Sequence, residues 1–276
     1  MRIIFFGTPQ LCTPYLDMLL AEHELLAVVC NPDQPAGRRM TLTPPPTKVW
    51  ALEHNIPVLQ PEKLKGFVDE LAPYEADLYI VIAYGKIIPT VIINQPKFGT
   101  LNVHYSLLPR WRGASPVEAA VLAGDTVSGV CIQQMRFELD SGPIWASEEV
   151  EIGPNDYART LRDGIMGEVG LKLLQQTIEM IQHPLPTSPS ESGRRPKEQI
   201  GEPTFCYRIK REDGELLDTD DDITKWRKFK AYYPWPGVFY FDDSNTRVKI
   251  TEAKFDNNRF IPTNITRDGD KPIKLI

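Results

Sequence analysis

No apolar run in these 276 residues approaches the roughly 20 needed to cross a bilayer. The opening MRIIFFGTPQ is broken by Gly7, Thr8 and Pro9 before an export signal could form, so a cytoplasmic location is expected. Cysteine is scarce: Cys12, Cys30, Cys131 and Cys206 are scattered, with no CxxC pair and no Cys/His cluster. That pattern gives no structural zinc site, predicts reduced and mostly buried thiols, and leaves no metal expected. Gly7 stands alone where a dinucleotide fold would carry GxGxxG, so NAD is not expected either. No GxSxG elbow surrounds Ser106, which is read as capping the turn before Pro109 rather than as a nucleophile. Basic charge is not in excess: the net charge of -6 argues against broad duplex binding while leaving room for a local basic patch.

What is present is ordinary globular composition, 42% hydrophobic and 25% charged, in a chain long enough for one large or two smaller domains. Residues 2–6 are apolar and closed by a glycine turn. A helix over 14–22 follows, with Leu16, Leu19 and Leu20 at helical spacing, and then an unbroken apolar run over 25–30. Strand, turn, helix and doubly buried strand open a doubly wound α/β sheet with helices on both faces. Helices are predicted over 49–54, 64–71 and 87–93, and strands over 56–59, 77–83 and 98–103. Between them, residues 31–48 read NPDQPAGRRMTLTPPPTK. The prolines forbid a helix there, and a connection this long without regular structure raises the expectation of function. Its tip, Arg38-Arg39, suits a phosphate-bearing partner.

The stretch 98–144 carries the chemistry. Side chains two apart on a strand share a face, so Asn102 and His104 stand together while Leu101 and Val103 face the other way. An amide that donates to an oxygen beside an imidazole that accepts a proton is the smallest kit for attacking a carbonyl. The basic, glycine-broken loop after them contains Arg110, Arg112 and Gly113. The arginines are either solvated charges or contacts to an anionic ligand, and Gly113 permits close backbone approach. A helix over 116–123, a strong strand over 129–135 and an acidic turn over 136–142 complete this unit. Further on, 156–180 is broadly helical, and 183–203 is rich in proline, serine and charge, as a linker is. Residues 204–276 offer short strands over 205–209, 214–217, 238–241 and 246–253. One of the aspartates 220–222 caps a helix over 223–229, and an aromatic, proline-braced junction spans 232–236.

The motifs FFGTP, NPDQPAGR followed by PPPTK, IPVLQPEKL, AYGKIIP, LNVHYSLLPRWRGASP, AVLAGD and GVCIQQMRFELDSGPI occur in collinear order. With YRIKREDGELLD and YYPWPGVFY they cover most of the chain, and the ordered set resembles the methionyl-tRNA formyltransferase family. The resemblance implies transfer of a formyl group from 10-formyltetrahydrofolate to the α-amine of methionine on initiator tRNA. It implies a Rossmann-like, mostly parallel sheet over 1–182, a linker over 183–203, and a small β-rich domain over 204–276 that is similar to a reduced OB-like barrel. The family's catalytic triad matches Asn102, His104 and Asp140. Its folate pocket matches Ala83, Tyr84, Gly85, Ser106, Leu107, Leu108, Pro109, Arg110 and Gly113, and acceptor contacts fall on Arg38, Arg39, Lys48 and Arg112. A monomer is expected.

The chemistry asks for the same groups. An α-amine with an ordinary pKa of about 7.7 to 8.0 needs little help to lose its proton. His104 accepts that proton, Asp140 orients or stabilises the imidazole, and Asn102 donates to the oxygen as it becomes negative, worth about 2.7 to 4 kcal/mol for a well-aimed donor. Too few residues follow the last predicted strand for a five-stranded barrel at ordinary strand lengths. The shortened domain therefore favours an alternative acceptor, a nucleotide-linked amino sugar or other small amine, whereas the basic loop favours tRNA. Hydrolysis of the donor is a third outcome if water replaces the amine. A non-catalytic RNA-binding module would be favoured only by loss of one of the three triad residues, all of which are present.

Overall fold

A computed structural model describes residues 1–37, 40–183 and 195–275. In chain order its first half runs β1 (Arg2–Gly7), α1 (Thr13–Glu22), β2 (Glu24–Val29), the short pair β3 (Gln34–Ala36) and β4 (Thr41–Thr43), and α2 (Pro46–Glu53). It continues with β5 (Val58–Leu59), α3 (Val68–Leu71), β6 (Leu78–Ile82), α4 (Thr90–Ile93) and β7 (Thr100–His104). Then come β8 (Arg112–Gly113), α5 (Pro116–Ala123), β9 (Val127–Gln134), β10 (Ile144–Glu151), α6 (Ala158–Asp163) and α7 (Ile165–Gln182).

Seven of these strands form one sheet in the order β10-β9-β7-β6-β1-β2-β5. The pairs β1·β2, β1·β6, β2·β5 and β6·β7 are parallel, while β9 runs antiparallel to both β7 and β10. The chain moves outward from β1 through β2 to β5, then returns to the other side of β1 with β6. The crevice at the carboxyl ends of β1 and β6 is thus a topological switch point, the place where open α/β sheets hold ligands.

Apolar runs let both faces bury. Ile3 and Phe5 pack with Leu16, Leu19, Leu174 and Ile178 on one side, while Ile4 and Phe6 pack with Phe67, Leu71, Tyr79 and Ile92 on the other. Each such side chain contributes about 1.5–3 kcal/mol on full burial. The buried stripe of α7 (Met166, Gly170, Leu173, Leu174, Thr177, Ile178, Ile181) follows the helical period. Gly170 is required there because a side chain would strike the Tyr15 hydroxyl, which hydrogen-bonds Tyr105 at 3.0 Å.

The remainder comprises β11 (Phe205–Cys206), α8 (Asp222–Tyr232), β12 (Val238–Phe241), β13 (Arg247–Asp256), β14 (Arg259–Arg267) and β15 (Ile273–Lys274). The last four strands form a small antiparallel sheet in sequence order. Asp221 caps α8 through a 2.8 Å bond from the Thr224 N–H. Trp226 and Phe229 on α8 stack against each other, Trp226 stacks on Phe255 of the small sheet, and both meet Phe260 at a tilt. Tyr157 closes the cluster from the α6 side. The junction over 232–236 divides: Tyr232 is buried, Tyr233 packs on Tyr157 and Trp235 is exposed.

Several elements differ from the sequence reading. The connection over 31–48 is not irregular, since β3 and β4 pair as an antiparallel ladder across its arms. The helix expected over 64–71 is helical only from Val68, and the one over 156–180 is two helices, broken at Gly164. The strand expected over 205–209 is confined to Phe205–Cys206, where it pairs with β8 far from the small sheet. The tail expected to hold only short strands supplies the nine-residue β14. Asn257 and Asn258 both adopt positive φ, which closes the β13–β14 hairpin in two residues with the twist that favours long pairing.

Candidate active site

β7 sets the site, and it brings the three sequence-predicted catalytic residues together. Asn102 and His104 emerge on the same side of the strand, paired in register with Gln133 and Cys131 of β9. His104 is buried, and its Nε2 lies 2.9 Å from the Trp111 carbonyl oxygen. A carbonyl only accepts, so Nε2 carries a hydrogen, and in the neutral ring Nδ1 is the nitrogen left with the lone pair. That nitrogen faces the Asp140 carboxylate, 3.7 Å from Oδ2. Asn102 Nδ2 donates to Asp140 Oδ1 over a long 3.4 Å. Its second N–H has no partner among the described residues, leaving one amide donor for a ligand oxygen.

Asp140 is placed by its surroundings rather than by its own strand. Its backbone adopts φ of 45°, and its Oδ2 accepts from the Gly113 N–H at 2.8 Å. Its Oδ1 accepts from Gln133 Nε2, also at 2.8 Å. Gly113 thus serves the carboxylate directly, and any side chain on it would collide with the Cys206 carbonyl of β11. Two residues in this network escape the sequence reading. Gln133 is a fully buried amide inside an apolar strand, and a lone polar group at such a position is the signal that could have marked it. Gln199 sits in the stretch read from composition as linker, and no local signal marks it. Its Nε2 donates to the carbonyls of Asp140 (2.7 Å) and Gly142 (2.8 Å), and its Oε1 accepts from Arg112 Nε (3.1 Å) and Nη2 (2.7 Å).

The donor-side residues flank this centre. Val81 at the end of β6 pairs in register with Asn102, so the following Ala83-Tyr84-Gly85 turn lies beside the triad. Ala83 and Gly85 take positive φ, and neither uses its peptide groups in a hydrogen bond among the described residues. Tyr84 turns its ring into the core against Phe6 while its carbonyl accepts from Asn31 Nδ2 at 2.9 Å. Ser106 is fully buried and donates to the Arg110 carbonyl at 2.6 Å, the turn-capping role expected of it. Leu107 is half-buried over Gly129 and Leu108 is buried. The Pro109 carbonyl accepts from the Thr204 N–H at 3.2 Å.

The charged candidates are committed inside the protein. Arg110 pairs with Asp125 at 2.6 Å and lies over the Trp111 ring, and Arg112 is held by Gln199. Lys48 reaches both Asp33 oxygens at 2.8 Å, and Gln60 adds a 2.9 Å bond to the same carboxylate. Those bonds hold the Asp33 carboxyl below the ordinary carboxylate range. Arg38 and Arg39 lie outside the described residues. All four cysteines are free and buried; burial pushes the Cys206 thiol beside β8 up to about 11, so it is a weak donor to the Arg112 carbonyl and no nucleophile. Among the described residues no cluster of His, Cys, Asp or Glu could hold a metal, and no helix is long and apolar enough to cross a membrane.

An amide, an imidazole and a carboxylate thus converge at the carboxyl edge of an open α/β sheet, where such sheets hold ligands, and residues 1–178 match the formyl transferase family. A methionyl-tRNA formyltransferase from Hahella chejuensis is 36% identical over 279 aligned positions, spanning 100% of this chain and 85% of the relative. In three dimensions the chain is similar to HypX from Aquifex aeolicus in complex with tetrahydrofolic acid, with a TM-score of 0.70 and 16% identity, covering 100% of this chain and 46% of that longer one. It also superposes on a methionyl-tRNA formyltransferase from Clostridium thermocellum with a TM-score of 0.63 and 15% identity, over 99% of each chain. The chain belongs to the methionyl-tRNA formyltransferase family.

Proposed function

We propose that this chain transfers a formyl group from 10-formyltetrahydrofolate to the α-amine of methionine esterified to initiator tRNA, working as a single chain in the cytoplasm. The observation that carries the reading is the orientation of His104: with Nε2–H fixed on the Trp111 carbonyl, Nδ1 is the one basic nitrogen turned toward Asn102 and Asp140. The donor's fit rests on the Ala83-Tyr84-Gly85 turn. Its unused peptide N–H and C=O groups at the switch-point edge match the amide-like edge of a pterin ring. When bound, the donor supplies the activated formyl carbon.

The chain's own residues do the rest. His104 Nδ1 takes the proton that the acceptor amine sheds as it attacks. Asp140, adjacent to the resulting imidazolium, compensates a charge that would otherwise be buried alone. Asn102 directs its uncommitted N–H at the formyl oxygen, where negative charge grows. Arg38 and Arg39 provide phosphate contacts for the tRNA. Lys48, bound to Asp33, and Arg112, bound to Gln199, act by holding their loops.

The test is the rate of formyl transfer from 10-formyltetrahydrofolate to methionyl initiator tRNA, set against a panel of nucleotide-linked amino sugars. Rapid transfer to the charged tRNA, weakened in a salt-dependent manner by the paired changes Arg38→Ala and Arg39→Ala, is expected. Transfer confined to a small amine would overturn the acceptor while keeping the three residues in their roles.

A further inference from the structure

Residues 195–206 lie beyond the part of the chain that matches the formyl transferase family, yet they run across the catalytic face and bind both of its loops. At one end, Lys197 and Ile144 exchange backbone bonds of 2.7 and 2.8 Å, and Glu198 pairs with Arg136 at 2.6 Å, which anchors the strap beside the Asp140 turn. At the other, Thr204 accepts from the Trp111 N–H through Oγ1 (2.9 Å) and from the Arg112 N–H through its carbonyl (2.8 Å). Trp111 is the residue whose carbonyl fixes the tautomer of His104, so the strap reaches both partners of that histidine.

Gln199 lies at the middle. An amide has two donor hydrogens and two acceptor lone pairs, and here all four are used, the hydrogens on Asp140 and Gly142 and the lone pairs on Arg112. The Asp140 turn gains from such support: its residues 136–139 are exposed, and Asp140 itself holds a positive φ of 45°.

We infer that Gln199 is a positioning residue for catalysis, locking the Asp140 turn and the Arg112 loop in one relative placement so that Asp140 meets His104. The inference rests on the proposed role of the triad. Side-chain amides matter here because only an amide donates to two carbonyls while accepting from a guanidinium. A glutamate would keep the bonds to Arg112 but set a negative oxygen against two carbonyl oxygens, and it would regain one donor on protonation.

The experiment compares kcat and KM of Gln199→Ala, Gln199→Glu and His104→Gln with those of the native enzyme, at temperatures below each protein's melting range and across pH. Gln199→Ala is expected to lower kcat by about 10²-fold, the scale of an ångström-level misplacement of a catalytic group, with KM for the folate donor unchanged. For Gln199→Glu the ratio of its kcat to the native kcat should rise as pH falls into the carboxylate range. A change that merely loosened the fold would not produce this. Native kcat in folded Gln199→Ala, or a ratio for Gln199→Glu that is flat with pH, would overturn the inference. If Gln199→Ala fails to fold, the pH ratio of Gln199→Glu decides alone. His104→Gln separates the two readings: if it is inactive while the Gln199 variants behave as native, only the positioning role falls, whereas native activity in His104→Gln removes the triad assignment itself.

Discussion

β1 of the large sheet buries five consecutive residues, Ile3 to Gly7, whereas β13 of the small sheet alternates, with Val248 and Ile250 buried and Lys249 between them half-exposed. A strand covered on both faces has no free side, so the proposed chemistry of the large sheet gathers at the carboxyl end of β7 and in the loops beside it. A strand covered on one face supports its sheet through alternate residues only and leaves the rest to solvent. The large sheet therefore separates stability, held in its strands, from reactivity, held where the strands stop. The small sheet contributes by packing: Phe260 and Ile265 join the same apolar core as Ile3 and Phe5.

Four substitutions test that separation. The largest effect is expected at the edge. His104→Gln keeps a donor for the Trp111 carbonyl but cannot take a proton, so kcat should fall by about 10²–10⁴-fold while thermal melting is little changed. Asn102→Ala should follow with a loss of about 10²–10³-fold, measured as kcat with donor binding retained. Ile250→Ala inverts the outcome: about 2–5 kcal/mol of unfolding free energy is lost in a denaturant titration, with native turnover below the melting range. A large turnover defect in that variant would mean that the small sheet acts on the reaction directly. The smallest effect is at Asp33. Its carboxyl is held below the ordinary range by bonds from Lys48 and then Gln60, so its stabilisation is present above the unfolded-state pKa and is lost as pH falls through the lower folded value. Asp33→Asn should flatten the acid limb of stability against pH, as read by melting temperature across a pH series.

How much of this was legible depended on distance along the chain. Asn102 and His104 declare themselves because two residues on one strand share a face whatever surrounds them, and the strands that bury both faces are visible as unbroken apolar runs. The paired arms within 31–48 were hidden by prolines that exclude a helix but not a short edge ladder. The length of β14 was encoded in Asn257-Asn258, a pair suited to a tight hairpin, and was underestimated because the strand beyond it is mixed in polarity. Gln133 was readable as an amide inside an apolar strand. Gln199 was not, because its partners lie at sequence separations of 59, 57 and 87, and nothing in its proline-rich and charged neighbourhood specifies them.

Those separations also have a meaning in time. The bond from the Trp111 N–H to Thr204 closes a separation of 93 residues, and closing long loops is what slows the late stages of folding. During synthesis the strands of the large sheet emerge and can pair well before residue 204 leaves the ribosome, since translation proceeds at about 5–20 residues per second. In this chain the bonds that residues 197–204 make to the Asp140 turn and the Trp111 loop can close only after every strand of the first sheet has been synthesised.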